Sequence, residues 1–480
     1  MTDYPALIDG KDVDVAETIT VFDPSTGLSL GEVASGGSRE IEQAVRSARG
    51  AYESVWTRLS VAERARIVRR IGTLIERDLE ELALLESRDT GKPLSQARAD
   101  VRVAARYFEF YGGVVEGLHG DYIGTTPALS SYTVLEPHGV CGHIVPWNYP
   151  IQVSARTIAP ALAAGNCCVL KPAEEAPLTP LRLGRIALEA GLPEGVLNVV
   201  AGIGEVAGAA LAAHPGINFL SFTGSVEVGK LVAAAAAGNV VPVALELGGK
   251  SPNIVFADAD LDRAVPFIAN SILQNAGQTC SAGSRLLVEQ GVHDELVRRL
   301  REHFSRVVIG PGPDDPTLGP LISREQLDRV RGYVSIGARD AELVCGGGVP
   351  ASTSHLGGYF FEPTIFDGVP ASSAIAREEV FGPVLAVQSF VGARQAVEIA
   401  NSTPYGLITA VWTRDIDRAH WVSRNVHAGQ IHVNTYGAGG GVELPFGGFG
   451  HSGYGREKGT EGLAAYTRSK TVAIHIGEPG

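Results

Sequence analysis

The chain has 480 residues, of which 45% are hydrophobic and 19% charged, and its formal net charge is −13. That length exceeds one ordinary core and predicts two or three domains, while the negative balance argues against a nucleic-acid backbone as the main partner. Five cysteines without C-x-x-C or histidine-rich spacing exclude a disulfide framework and a metal site, and predict reduced thiols in a cytoplasm.

The first residues, "MTDYPALIDGKDVDV", lack the basic region and apolar run of a signal peptide. No apolar run approaches the ~18 residues of a membrane span. The first third reads as helical. Ser60 and Glu63 in "SVAE" have capping-box spacing. After them Ile67, Ile71, Leu74, Leu79, Leu82 and Leu85 recur at intervals that predict one amphipathic helix, stopped by "TGKP" at Thr90 to Pro93. "SSYTVLEPHG" reads as an exposed strand.

From Val140 short apolar runs ("VCGHIV", "CCVLK", "GVLNVV", "INFLSF") alternate with helical segments ("VSARTIAPALAAG", "LTPLRLGRIALEAG", "VAGAALAAH"). This predicts an α/β fold: a parallel sheet with helices on both faces and ligands at the carboxyl ends of the strands. Cys167 and Cys168, adjacent in one such strand, read as inert core thiols facing opposite ways. A second alternating region runs from about Ser251 to Gly450, and "VELPFGGFGHSGYGREKG" at its end reads as too Gly-rich for regular structure. The terminal "TRSKTVAIHI" is one strand with no evident partner left in the chain, the kind that completes a sheet on another subunit.

Several motifs sit where chemistry is expected. "VPWNYP" brackets Asn148 in a rigid turn that can aim an amide N–H at an oxyanion. Lys171 and Glu174 in "LKPAEE" follow a strand; a carboxylate there suits ribose hydroxyls and repels a 2′-phosphate, or the two form a solvated pair. Two glycine turns compete as the dinucleotide site: "AGIGEVAG", with Gly202, Gly204 and Gly208, and "SFTGSVEVG", with Gly224 and Ser225. Glu246 lies in the apolar run "VALELGG", where desolvation raises a carboxyl toward the range of a useful base. Cys280 lies among small and polar residues in "LQNAGQTCSAGSR", without a nearby histidine or lysine, and by itself is either a packed thiol or a nucleophile.

Together, Cys280, Glu246, Asn148, "LKPAEE", "FTGS", "EEVFGPV" and "PFGGFGHSG" closely resemble the NAD(P)-dependent aldehyde dehydrogenase superfamily, from "FDPSTG" at Phe22 to the terminal strand. The resemblance implies that Cys280 is the nucleophile on the aldehyde carbon. Asn148 and the Cys280 N–H would hold the oxyanion. Glu246 would activate the water that hydrolyses the thioester, and help deprotonate Cys280. It further implies NAD, rather than NADP, held by Pro146, Trp147, Lys171, Glu174, Gly204, Phe222, Gly224, Ser225, Leu247, Glu379 and Phe381. "FTGS" becomes the phosphate turn and "AGIGEVAG" flanks the adenine end.

The implied architecture is a Rossmann-like cofactor domain at 1–120 and 139–249, a second α/β catalytic domain at 250–450, and a small β bridging element at 121–138 and 462–480. That element would build a homodimer or homotetramer. Substrate-lining candidates are Tyr149, Val153, Arg156, Gln274, Thr279, Ser281 and Tyr436. Arg156 resembles the arginine that binds the distal carboxylate in succinate-semialdehyde dehydrogenases, which suggests an acidic semialdehyde. Gln274 departs from those enzymes, which carry a second arginine there, and the alternative for Arg156 is a structural ion pair on a helix surface. The rival functions are an acylating, coenzyme A-dependent relative, a non-catalytic NAD-binding protein, and a cysteine hydrolase.

Overall fold

A computed structural model describes residues 3–437 and 441–477. Residues 1–2, 438–440 and 478–480, which fall in the three expected domains, lie outside the described residues. Among the described residues no helix is long and apolar enough to cross a membrane, and no group of His, Cys, Asp and Glu has metal-site geometry.

The larger sheet has eight strands, and its centre is parallel: Leu197–Val199, Cys167–Pro172, Val140–Val145, Phe219–Thr223 and Val243–Glu246, in that spatial order. These are nearly continuous apolar runs because helices cover the sheet, so both faces of each strand are buried. Pro150–Ala164, Leu178–Glu189 and Val226–Ala237 supply the crossovers. Cys167 and Cys168 are fully buried, as expected of core thiols, and burial raises both.

The second sheet has seven strands, with Pro252–Val255, Arg285–Glu289, Val384–Phe390 and Ile408–Trp412 at its parallel centre. Asp260, in the acidic stretch "FADADLDRAV" that opens this region, caps the helix Leu261–Leu273 through the Arg263 N–H, 3.2 Å away.

Three sequence expectations change. The capping box at Ser60 and Glu63 forms, but the helix it starts ends at Arg77, and a second one runs Leu79–Thr90. The chain breaks at Asp78, whose carboxylate accepts from Arg77 at 2.7 Å and from Arg182 at 2.9 Å. The apolar spacing continues across the break because both helices bury the same side against Leu94–Val114 and the crossover helix Leu178–Glu189. Second, the Gly-rich stretch does enter the sheets. Gly453–Tyr454 pairs with Leu245 and Glu246 and closes the edge of the first sheet beside Glu246. Third, the terminal strand has a partner in its own chain. Thr467–His475 pairs antiparallel with Leu129–Pro137 over nine residues, from Thr467 opposite Pro137 to His475 opposite Leu129. The partner lies more than three hundred residues away and is mostly polar, so the sequence pattern does not link the two.

Candidate functional site

The parallel strands end together, and the candidate residues stand at those ends. Asn148 follows Val145, Lys171 sits in the last turn of its strand beside Pro172, Gly224 and Ser225 follow Thr223, and Glu246 is the last residue of its strand. The loop bearing Cys280 approaches from the second sheet. A Cβ on Gly249 would lie 2.4 Å from the Cys280 carbonyl oxygen, so a glycine here is what lets the two backbones meet.

That loop is held by its own geometry. Asn275, Ala276 and Gly277 are three consecutive residues with positive φ (50°, 54° and 73°). The Gln278 side chain ties the turn down: Nε2 donates to the Asn275 carbonyl at 3.0 Å and Oε1 accepts from the Ile322 N–H at 2.9 Å. Asn148 is bound into the same turn, its Nδ2 donating to the Gln278 carbonyl at 2.9 Å. One amide hydrogen is thereby fixed, which orients the other. Among the described residues the Cys280 N–H has no hydrogen-bond partner.

Cys280, Asn148 and Glu246 all line one cavity of about 870 Å³. Burial pushes the Cys280 thiol up to about 12, partly opposed by the Arg156 guanidinium. Burial also raises the Glu246 carboxyl well above the usual carboxylate range. The Glu457 carboxylate adds to the rise, and Arg156 opposes it. Burial thus favours the protonated form of both the thiol and the carboxyl.

Sequence reading missed what anchors Asn148. Lys92, in the "TGKP" taken only as a helix stop, is fully buried. Its Nζ donates to Glu86 at 3.2 Å, Asp100 at 2.6 Å and the Asn148 carbonyl at 3.0 Å, and lies 4.5 Å from the centroid of the Tyr149 ring. Burial works against its charge, but the two carboxylates outweigh it and raise Lys92. Burial pushes Asp100 up to about 6. A lysine between a glycine and a proline reads as solvated turn; only the tertiary contact reveals a buried ion-pair cluster. Lys92→Met should lower stability by about 3 kcal/mol or more, because it strands two buried carboxylates. It should also lower catalytic rate by loosening Asn148. Thermal unfolding and aldehyde turnover on the same preparation check both effects.

The expected cofactor residues fall in two groups. Pro146, Trp147, Gly224, Ser225, Glu379 and Phe381 line the cavity. Trp147 and Phe381 meet edge to face at 5.4 Å. Phe381 takes φ 61°, and the turn around it is pinned by Gln326 Nε2 on its carbonyl at 2.7 Å and Arg329 Nη2 on the Glu379 carbonyl at 2.7 Å. Glu379 Oε1 accepts from the Gly249 N–H at 2.9 Å, and burial pushes its carboxyl up to about 7. A Cβ on Gly248 would lie 2.3 Å from the Glu379 carboxylate, so that stretch stays bare. Ser225 caps the helix Val226–Ala237 through the Val228 N–H at 3.2 Å, leaving the other N–H groups of its first turn for an anion.

Lys171, Glu174, Gly204, Phe222 and Leu247 stand outside that lining. Lys171 is buried rather than solvated, and its Nζ donates to Glu174 at 2.8 Å. The other Glu174 oxygen accepts from the Gly204 N–H at 3.1 Å, which ties the end of the Lys171 strand to the "AGIGEVAG" turn. Burial works against the Glu174 charge, but Lys171 and the Gly204 N–H outweigh it and hold the carboxyl below its usual range. Phe222 and Leu247 are buried wall residues. The lysine and carboxylate, the capped helix and the bare glycine form a set that fits a dinucleotide.

All seven substrate candidates line the cavity. Tyr149 and Thr279 share a hydrogen bond of 2.8 Å, and the Tyr436 hydroxyl donates to the Ser281 carbonyl at 2.6 Å. Arg156 is not on a helix surface. It is buried, ion-paired with Glu457, donates to Thr223 Oγ1 at 3.3 Å, and lies 5.3 Å from the centroid of Phe446. Glu457 and Lys458, unremarked in the Gly-rich tail, enter the site because the Glu457 backbone bridges to Phe446.

The model of the aldehyde dehydrogenase family matches residues 12–472. Betaine aldehyde dehydrogenase of Bacillus subtilis (strain 168) is 43% identical over 475 residues, covering 97% of this chain and 96% of its own. Retinal dehydrogenase 2 of Homo sapiens is 44% identical over 465 residues, covering 95% and 88%. An NAD+ complex of aldehyde dehydrogenase from Bacillus cereus superposes with a TM-score of 0.96 at 38% identity, covering 99% of this chain and 97% of that one.

Proposed function

The chain belongs to the aldehyde dehydrogenase family, and from that premise we propose that it oxidises an aldehyde to its carboxylic acid with NAD through a thioester on Cys280. The observation that carries this reading is the convergence of Cys280, Asn148 and Glu246 on one cavity together with Glu379 and Phe381.

The Cys280 sulfur, once deprotonated, attacks the aldehyde carbon. The free amide hydrogen of Asn148 and the Cys280 N–H receive the oxyanion of the thiohemiacetal. NAD, which Ser225, Glu379 and Phe381 would hold, would supply the hydride acceptor that lets this carbon reach the thioester level. Glu246 then removes a proton from water, which attacks the thioester carbonyl and releases the acid and the thiol. A carboxyl raised by burial is suited to this task, because its conjugate base is stronger than an ordinary carboxylate. The same glutamate disfavours the coenzyme A-dependent alternative, where no water needs activating, and the intact trio disfavours a non-catalytic role.

We assign the cofactor domain to 1–120 and 139–249, the catalytic domain to 250–450 and the bridging element to 121–138 and 462–480. Because of the pairing of Gly453–Tyr454 with Glu246, the segment around 453 also serves the first sheet. The outer edge of Thr467–His475 has no strand partner among the described residues, which supports a homodimer or homotetramer closed across that edge. A nucleophilic thiol suits the reducing cytoplasm. On the substrate, an acidic semialdehyde held by Arg156 has against it that the guanidinium is already matched to Glu457; Arg156 is therefore the structural member of a buried pair.

NADH formation with NAD and a panel of aldehydes, with and without coenzyme A, tests the activity. Turnover independent of coenzyme A is expected. No turnover with any aldehyde, or strict dependence on coenzyme A, would remove this reading. On cofactor choice, kcat/KM for NAD should exceed that for NADP at least about tenfold, because a 2′-phosphate would face the Glu174 carboxylate. Glu174→Gln should narrow the ratio; equal use of both cofactors by the unaltered enzyme would refute the assignment.

A further inference from the structure

Lys458 is the cation that the reaction above leaves unused. It is 6% exposed and lines the same cavity as Cys280, Glu246 and Phe446. Its Nζ lies 5.2 Å from the centroid of the Phe446 ring, and among the described residues it has neither a hydrogen-bond nor an ion-pair partner. An ammonium largely withdrawn from water without a direct partner is costly, and buried charges are paired or serve a role. Its backbone adds to that cost. Lys458 has φ 61° and ψ 173°, a region populated almost only by glycine. A glycine would relieve the strain, and a lysine stands there instead.

The surrounding charges show what the ammonium lacks. Arg156 and Glu457 neutralise one another as an ion pair. Burial raises the Glu246 carboxyl, which favours its uncharged form. His432 and Glu443 act on the group from farther off, and burial keeps the imidazole neutral. Burial lowers Lys458 to about 8, which leaves it protonated at neutral pH. The wall beside the nucleophile therefore presents an ammonium that has no direct ion-pair partner among the described residues. Resting on the aldehyde-oxidising reading, we propose that Lys458 is an anion-recognising residue of the substrate pocket, and that the preferred aldehyde carries a carboxylate at its far end. A single carboxylate supplies the missing partner; a dianionic phosphate would bring its second charge against Glu457.

The test compares kcat/KM for a short ω-carboxy-aldehyde and for its methyl ester, which keeps the shape and removes the charge. The wild type should prefer the acid at least about tenfold, the worth of one charge-assisted hydrogen bond. Lys458→Met should cut that preference about tenfold to a hundredfold, and Lys458→Arg should keep most of it. Lys458→Gly, which releases the backbone strain, should lose the preference while raising the unfolding midpoint, so the loss cannot be ascribed to a damaged fold. An unchanged acid-to-ester ratio in Lys458→Met would overturn the proposal. So would an equal loss on both substrates, which would assign Lys458 to the ionisation of Glu246. Absence of NADH with every aldehyde would overturn the activity reading itself, whereas brisk oxidation of the ester alone would overturn only this proposal.

Discussion

Cys280→Ala is expected to abolish aldehyde-dependent NADH formation, by about 10⁴-fold or more, while the unfolding midpoint stays near that of the wild type. The size of the loss follows from covalency. Without the sulfur no thiohemiacetal forms, and an aldehyde, having no hydroxyl on its reacting carbon, is a poor hydride donor. Asn148 and the backbone N–H would then have no oxyanion to receive, so residues that act as a unit fail as a unit. The fold should be nearly indifferent, because the side chain is only part-buried, at the edge of the small Leu407, Ile408 and Phe446 cluster. Cys280→Ser should be nearly as poor, since a hydroxyl ionises far less readily than a thiol. Mass spectrometry adds a direct check: the wild type with NAD and a slow aldehyde should gain the acyl mass on the peptide containing Cys280, and the alanine variant should not. Retention of a tenth of the activity in Cys280→Ala would dismiss residue 280 as the nucleophile.

The thiol's proton makes this result informative about pH as well. With its sulfur pushed up to about 12, Cys280 is almost wholly protonated at neutral pH. Thiolate must therefore be formed on demand, and the rate should rise with pH across the neutral range. This is the opposite of an activated cysteine at a helix N-terminus, whose thiolate is already present.

How far the sequence carries can be read from particular residues. The parallel sheet was legible because its strands are buried on both faces and written as apolar runs, with helices between. Asn148, Glu246 and Cys280 were legible as odd residues in their settings, an amide between prolines, a carboxylate in an apolar strand and a lone thiol among small residues. Their meeting was not, because it depends on how two sheets face each other. Lys92 and Lys458 were illegible for a related reason. Both sit in glycine-rich turns, where a lysine is ordinarily solvated, and burial there comes from segments distant in sequence. Arg156 shows the converse: its residue type suggested a ligand-binding fork, and Glu457, three hundred residues later, takes that fork. The terminal strand was read correctly as a strand and incorrectly as partnerless, since pairing in a polar sheet leaves no periodic trace of its register.

Glu246→Gln should separate the two halves of the reaction. The isosteric amide keeps the wall of the pocket but cannot accept a proton from water. The first turnover should proceed, giving a burst of NADH close to one per active site, after which the steady state should fall about 10²- to 10⁴-fold. The wild type should show no such burst if hydrolysis keeps pace. The sign of the pH effect follows from the direction of the shift. Burial and Glu457 raise the Glu246 carboxyl, so its base form appears only as pH climbs past that raised value, and wild-type hydrolysis should climb with it. In Glu246→Gln that ascending limb should vanish from the steady state. A strong external nucleophile such as hydroxylamine should restore turnover in the variant by attacking the thioester directly, since it needs no base to activate it. Should the burst itself disappear, with hydroxylamine giving no rescue, the proton of Cys280 rather than that of water would be the one Glu246 removes, and the residue would belong to the step before the thioester instead of the step after it.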